Sequence, residues 1–219
     1  MITVACVRAG KKYGINYVEK LRNMVNRHLK VDHEIICLTD QPDSIPGVTF
    51  IQCSFSDLNG WWAKLLLFDP AIRGSNHCIY FDLDTVIVGD ITPLSVPLKT
   101  FQICQNFTRL SGNKSYPCDF GSCVMVFPEG WGRFVWEAFY RDRKHLMQKC
   151  RYGDQQAIEL IIRDAQEPVL YLQDMLPPGF FVGRRDFTNE KPKGAAVMVF
   201  AGNHKPHNTP HRWLKDAWK

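Results

Sequence analysis

Apolar and polar positions divide this 219-residue chain into short apolar runs and longer amphipathic stretches. The apolar runs, rich in β-branched and aromatic residues, predict strands over residues 2–7, 34–38, 48–53, 101–106, 122–127, 169–172 and 196–200. Helices are predicted over residues 15–28, 60–68, 131–149 and 210–219, and from residue 154 onward. The strand–helix–strand order at the start predicts an α/β protein with a parallel, doubly wound sheet.

The run from Cys78 to Val88 is the most informative stretch of the chain. It begins with the composition of a strand that is buried on both faces, and the apolar pattern stops at Asp82. Asp82 and Asp84 then stand one residue apart at the carboxyl end of that strand, where open α/β sheets bind their ligands. Neighbouring carboxylates favour a divalent cation with oxygen ligands, such as Mg²⁺ shared with substrate phosphates. Alternatively, the two aspartates only cap a turn.

Length and composition indicate the general class of protein, but they do not indicate its function. The length favours one domain, and no window has the roughly 18 consecutive apolar residues of a membrane-spanning helix. Residues 1–7 read as a first strand rather than a signal peptide. Eight cysteines without a C-x-x-C pair predict buried thiols and a reduced, cytoplasmic location, with a bridge or a metal site at Cys118 and Cys123 as the minor alternative. The net charge of +5 fits an anionic substrate, a membrane surface, a nucleic acid or an ordinary solvated surface.

Several polar residues lie in sequence contexts that allow either a functional or a purely structural role. Lys64 lies in an otherwise apolar segment, so it either reaches solvent or meets an anion. The histidines at 204, 207 and 211 cluster with Lys205, a combination that can bind a metal or a phosphate. Asp154 either serves the chemistry or only caps its helix. The apolar face of the last helix, with Trp213 and Trp218, either docks on its own domain or lies on a membrane interface.

Residues Phe81 to Leu94 resemble the DxD segment of nucleotide-sugar glycosyltransferases of the GT-A fold, and family 8 most closely. The chain also resembles small bacterial and phage glycosyltransferase-like proteins that share Gly60-Trp61-Trp62-x-Lys64-Leu65. Further matches are Ser122-Cys123-Val124-Met125-Val126, Gly153-Asp154-Gln155 and the ending Gly202-x-x-Lys205-Pro206. The matched segments span most of the chain in the order found in that family.

The resemblance implies a single GT-A-type domain over residues 1–219, with a Rossmann-like, mixed, mostly parallel sheet flanked by helices. Its donor half would cover about residues 1–95, and its acceptor half about residues 96–219. The implied activity is transfer of a sugar from a nucleotide-sugar donor, with a UDP-sugar as the first expectation and with retention of configuration. Mn²⁺ or Mg²⁺ is the implied cofactor.

The resemblance also implies roles for particular residues. Asp82 and Asp84 match the metal-binding carboxylates, and Asp82 also contacts the donor. The other implied donor-binding residues are Val7, Arg8, Tyr13, Asp40, Lys64, Gly202 and Lys205. Asp154 and Gln155 match a pair near the anomeric carbon, and Lys205 matches a lysine on the departing phosphate. Val199 and Ala201 stand where relatives carry a metal-binding histidine, so His204, His207 or a water molecule is the substitute ligand in this interpretation.

Two other functions fit parts of the pattern. Asp82-Leu83-Asp84-Thr85 also resembles the first motif of haloacid-dehalogenase-like phosphatases, in which Asp82 would be the nucleophile. A non-catalytic nucleotide-sugar binder would use the same donor residues. The acceptor is open among a saccharide, a protein and a modified DNA base, and the last helix allows peripheral contact with a membrane.

Overall fold

The computed structural model describes residues 1–54, 58, 60–200, 202 and 204–219. Its strands are β1 Ile2–Arg8, β2 His33–Thr39, β3 Thr49–Gln52, β4 Cys78–Phe81, β5 Val86–Ile87, β6 Phe101–Gln105, β7 Phe120–Phe127, β8 Val169–Tyr171, β9 Phe181–Gly183 and β10 Val197–Val199. Its α-helices are α1 Ile15–His28, α2 Pro70–Arg73, α3 Phe107–Leu110, α4 Arg133–Arg141, α5 Arg143–Lys149, α6 Asp154–Asp164, α7 Leu172–Met175 and α8 Arg212–Ala217. The 3₁₀ segments are Gly60–Phe68, Thr92–Ser95, Arg184–Asp186 and Pro206–Asn208.

The larger sheet has seven strands in the order β3-β2-β1-β4-β7-β6-β8. The strands from β3 to β4 are parallel, β7 is antiparallel to both β4 and β6, and β8 is parallel to β6. Side chains alternate between the faces, so that Val4 packs on the α1 side and Ala5 packs on the side of the Gly60–Phe68 segment. The predicted α/β class with a mixed, mostly parallel sheet is confirmed, and β7 departs from a purely parallel one.

The run from Cys78 to Val88 is divided between two sheets. Cys78–Phe81 lies in the larger sheet, whereas Val86–Ile87 pairs with β10 in a second sheet of order β5-β10-β9. The chain turns between them, and the Thr85 N–H donates to the Asp82 carbonyl at 3.0 Å. The two aspartates therefore lie where the backbone leaves the main sheet, at the carboxyl end of β4.

Other boundaries also differ from the sequence prediction. The predicted helix over residues 131–149 is two helices that meet at Asp142. The first buries Val135 and Phe139, whereas the second buries no side chain fully and packs Leu146 and Met147 against the core. The connection around residues 177–186 contains the three-residue strand β9, which is too short to show a pattern. The minor alternative of a bridge between Cys118 and Cys123 is wrong, because both are free thiols.

The last helix docks on its own domain. Leu214 and Trp218 are buried, and the Lys20 ammonium lies 4.3 Å from the centre of the Trp218 ring. Arg27 donates hydrogen bonds to the carbonyls of Ala217 and Lys219. Because α1 covers this apolar face, the alternative of a membrane contact through the helix is not supported. Within the described residues, no helix combines the length and apolar composition needed to cross a bilayer.

Glu159 of α6 fastens the start of β7. Its carboxylate accepts hydrogen bonds from the N–H groups of Asp119 and Phe120, at 2.7 and 3.2 Å, and from Arg163 Nε at 2.7 Å. Burial raises the pKa of Glu159, but hydrogen bonds from Cys118, Phe120, Arg163 and Asp119 together bring it below its ordinary value of 4.5. The ionised form therefore stabilises the folded chain.

We expect Glu159→Gln to lower the free energy of unfolding by about 1–3 kcal/mol at pH 7. A lowered pKa in the folded state gives stability that is complete above the unfolded-state pKa near 4.5 and is lost as the pH falls through the folded-state pKa. Urea unfolding at a series of pH values should show the difference shrinking below about pH 4. Glu137→Gln, on the exposed face of α4, is the control. A loss that is independent of pH would contradict this role.

Candidate active site

One cavity of about 610 Å³ lies at the carboxyl ends of β1 and β4. It collects side chains from the loop after β1, the Gly60–Phe68 segment, the turn after β4, the start of α6 and the C-terminal segment. The sequence-predicted residues among its walls are Val7, Tyr13, Lys64, Asp82, Asp84, Asp154, Gln155, Gly202 and Lys205. The structure therefore brings together residues from both ends of the chain.

Lys64 meets anions rather than solvent. The Gly60–Phe68 segment is buried from Trp62 to Phe68, which leaves the Lys64 side chain only 7% exposed. Its ammonium lies 2.9 Å from Asp82 Oδ1 and 3.1 Å from Asp154 Oδ2. It also donates to the carbonyl and hydroxyl oxygens of Ser122. Burial lowers the pKa of Lys64, but the carboxylates of Asp154 and Asp82 outweigh it and keep the pKa above its ordinary value. Lys64 therefore stays charged.

Asp82 is held from two sides. Tyr80 donates its hydroxyl hydrogen to Asp82 Oδ1 at 2.5 Å, on the same oxygen that Lys64 contacts. The Asp82 N–H donates to the carbonyl of Cys123 at 2.8 Å, which ties the turn to β7. Burial raises the pKa of Asp82 above its ordinary value, although Lys64 opposes the shift. The carboxylate is thus oriented before any ligand arrives.

Asp84 forms a second charged pair, with Lys205. The Lys205 ammonium donates to Asp84 Oδ2 at 2.5 Å, and the Tyr13 hydroxyl donates to the same oxygen at 2.9 Å. Burial and the Asp84 charge raise the pKa of Tyr13 well above its ordinary value, so the hydroxyl remains protonated and can donate. This contact joins the C-terminal segment to the turn after β4.

The start of α6 brings Asp154 and Gln155 to the cavity. Gly153 precedes the helix, and no side chain caps it, so the N-cap interpretation of Asp154 is wrong. The Asp154 carboxylate instead accepts a hydrogen bond from Ser122 Oγ at 2.5 Å and pairs with Lys64. Gln155 Nε2 donates to the Tyr116 hydroxyl at 2.9 Å. Asp154 of α6 and Asp82, which follows β4, therefore share the Lys64 ammonium.

Four predicted site residues do not line the cavity. Arg8 donates to the Tyr13 carbonyl at 3.0 Å and forms an ion pair with Asp43. The Asp40 carboxylate accepts the Gly10 N–H at 3.1 Å, so both residues shape the loop that carries Tyr13. His207 Nδ1 lies 2.5 Å from the Tyr17 hydroxyl. His204 is exposed. Their proposed roles remain sequence predictions, and Ala201 lies outside the described residues.

Sequence reasoning did not assign a role to several residues of the cavity. Its walls also include Trp61, Tyr80, Asn106, Phe107, Tyr116, Ser122 and Tyr152. The motif Gly60-Trp61-Trp62-x-Lys64-Leu65 indicated this segment, but its sequence does not distinguish the adjacent tryptophans at 61 and 62. Trp62 is 8% exposed and Trp61 is 55% exposed. Tyr116 lies in a polar loop whose pattern carries no such information.

The carboxylates of Asp82 and Asp84 are hard oxygen ligands of the kind that Mg²⁺ and Mn²⁺ prefer. Within the described ranges, no group of three or more His, Cys, Asp or Glu side chains is placed to hold a metal ion. The residues thus fit a cation that two carboxylates share with the phosphates of a bound ligand, which is a common arrangement for Mg²⁺. Lys64 contacts Asp82 Oδ1 and Lys205 contacts Asp84 Oδ2, so such a cation would bind beside these two ammonium groups.

No family model and no curated protein sequence matches this chain, but solved structures do. The galactosyltransferase LgtC, in complex with donor and acceptor sugar analogs, is similar with a TM-score of 0.66 and 13% identity, over 99% of this chain and 95% of that one. The glycosyltransferase GlyE of Streptococcus pneumoniae TIGR4 gives a TM-score of 0.65 and 15% identity, over 100% of this chain and 60% of that one. The bifunctional glycosyltransferase WbbM gives a TM-score of 0.53 and 14% identity, over 99% of this chain and 51% of that one. The chain has the fold of these glycosyltransferases, as the GT-A expectation requires.

Proposed function

We propose that this chain is a metal-dependent glycosyltransferase that uses a nucleotide-sugar donor, with a UDP-sugar as the first candidate. The observation that carries the proposal is the pairing of Asp82 and Asp84 with Lys64 and Lys205 in one cavity at the carboxyl ends of β1 and β4. Ligands of open α/β sheets bind at that edge. The fold is shared with LgtC, whose structure contains donor and acceptor sugar analogs.

The charges of the cavity suit a pyrophosphate leaving group. As a glycosidic bond to a nucleoside diphosphate breaks, negative charge develops on the phosphate oxygens, and preorganised cations there lower the barrier. Mn²⁺ or Mg²⁺ bound at Asp82 and Asp84 would supply Lewis-acid stabilisation of that charge. Lys205 adds an ammonium at the same place, where it contacts Asp84.

The remaining predicted residues fit the two ends of such a donor. Val7 and Tyr13, at the end of β1, are proposed to contact the nucleoside. Asp154 and Gln155, at the start of α6, are proposed to face the sugar, where one offers an acceptor and the other an amide donor. Retention of configuration and the division near residue 95 remain part of this proposal.

The phosphatase alternative has less support. Asp82 would have to attack phosphorus, but its Oδ1 already accepts the Tyr80 hydroxyl and contacts the Lys64 ammonium. The fold is moreover that of the glycosyltransferases LgtC and GlyE. A nucleotide-sugar binder without catalysis uses the same cavity and is separated from the enzyme by experiment.

A thermal-shift screen of nucleotide sugars, with Mn²⁺ and with EDTA, tests the proposal. A donor at about a hundred times its Kd should raise Tm by roughly 5–10 °C, because it binds only the folded chain. The same donor with Mn²⁺ should slowly release free UDP and sugar in the absence of an acceptor. No stabilisation by any nucleotide sugar would contradict the proposal. Stabilisation without release would identify a binder, and turnover of an aryl phosphate that Asp82→Asn abolishes would identify a phosphatase.

A further inference from the structure

Three aromatic side chains, Trp61, Tyr116 and Tyr152, border the cavity beside Gln155. Trp61 is 55% exposed and Tyr152 is 48% exposed, although both are large. The rings of Tyr116 and Tyr152 meet edge to face with centroids 4.7 Å apart. A single exposed aromatic residue is ordinary, but two exposed rings and the partly buried Tyr116 around one cavity indicate a ligand that presents an apolar face.

The backbone holds Trp61 in place. Gly153 has φ +87°, and a Cβ added there would lie 2.9 Å from Trp61 Nε1 and 3.0 Å from Cε2. The indole thus rests directly on the backbone that precedes Asp154. Gln155 in turn donates to the Tyr116 hydroxyl at 2.9 Å. The aromatic group is therefore joined to the two residues of α6 that we place near the sugar.

The charges around these aromatic residues distinguish a neutral sugar from a nucleic acid as the ligand. The lining residues Gly60, Trp61, Tyr116, Tyr152 and Gln155 are uncharged. The cation that contacts this group, Arg109, donates to the Tyr116 carbonyl and is paired with Asp119. Asp154 shares the Lys64 ammonium with Asp82, and Lys12 lies over the Tyr13 ring. A nucleic acid that stacks its bases on aromatic rings also needs cations along its phosphates. A neutral sugar needs an apolar ring face with hydroxyl and amide partners, and the tyrosines and Gln155 provide these.

We propose that Trp61, Tyr116 and Tyr152 form an acceptor subsite that binds a neutral saccharide, with a sugar ring stacked on Trp61. This inference rests on the proposed function and names the acceptor class for the same cavity. It excludes a DNA base and a protein side chain as the main acceptor.

The test measures saccharide binding to the full chain by isothermal titration, at saturating UDP and Mn²⁺, with lactose, cellobiose and maltose as probes. At least one disaccharide should bind the wild type. Trp61→Ala should weaken it by roughly tenfold or more, whereas Trp61→Phe should retain most of the affinity because it keeps an aromatic face. Tyr140→Ala, which removes an equally exposed aromatic ring from α4, should bind as the wild type does.

Three results would overturn the inference. They are the absence of binding by all three disaccharides, equal binding by Trp61→Ala and the wild type, and Trp61-dependent binding of hexathymidylate or of a tyrosine-containing peptide in place of the sugars. Should Trp61→Ala fail to fold, the same binding measurement is made on Tyr152→Ala, which lies on a different segment and is also expected to bind the saccharide more weakly. UDP affinity is measured separately for every protein. Failure of the wild type to bind UDP contradicts the proposed function, whereas binding of UDP without Trp61-dependent binding of a saccharide contradicts only the acceptor subsite.

Discussion

Replacing Lys64 by methionine is expected to lower the free energy of unfolding by about 3–5 kcal/mol, because it removes one partner of a buried ion pair. The ammonium lies within 3.1 Å of both Asp82 and Asp154. Methionine fills a similar volume but leaves two carboxylates close together without their cation. The variant should unfold at a lower denaturant concentration with an unchanged m-value.

The double variant Lys64→Met with Asp154→Asn provides the matched comparison. It removes one of the two unpaired charges, so it should recover part of the stability that Lys64→Met loses, which a double-mutant cycle measures. Lys144→Met, at an exposed position of α5, should change stability by less than about 0.5 kcal/mol. A loss below about 1 kcal/mol for Lys64→Met would show that the ion pair contributes as little as a surface pair.

Asp84→Asn is expected to reduce metal-dependent release of UDP from its sugar by about 10²–10³-fold, the usual effect of removing one electrostatic group from a reacting centre. Asparagine keeps the size of the side chain and an acceptor for the Tyr13 hydroxyl. It removes the charge that Lys205 and, in our proposal, the cation share. The rise in Tm that Mn²⁺ adds in the presence of UDP should disappear together with turnover.

Asp90→Asn is the control for this substitution. Asp90 follows in the same segment, is exposed and lies outside the cavity walls. Its variant should retain both metal-dependent stabilisation and turnover. Wild-type behaviour of Asp84→Asn in both measurements would exclude Asp84 as a cation ligand.

The two lysines of the cavity show how far sequence reasoning reaches. Lys64 stands out in the sequence because a cation in an apolar segment needs an anion or solvent, but the sequence does not say which. The answer depends on Ser122 and Asp154, which lie 58 residues or more along the chain from Lys64. Ser122 reaches it because β7 runs antiparallel beside β4, and Asp154 reaches it because α6 packs against β7 and the Gly60–Phe68 segment. No local pattern determines the neighbour or direction of a strand.

Sequence alone determined most of the longer elements and the position of the acidic pair. Apolar runs, helical stripes and the end of a strand at Asp82 are local properties, because they follow from backbone preference and from the periodicity of burial. The tertiary structure decided which residues meet. The pairing of Asp84 with Lys205 and the gathering of Trp61, Tyr116 and Tyr152 join segments far apart in sequence. Such contacts follow from the pairing of strands that buries both faces of the sheet at once, which is a property of the whole chain.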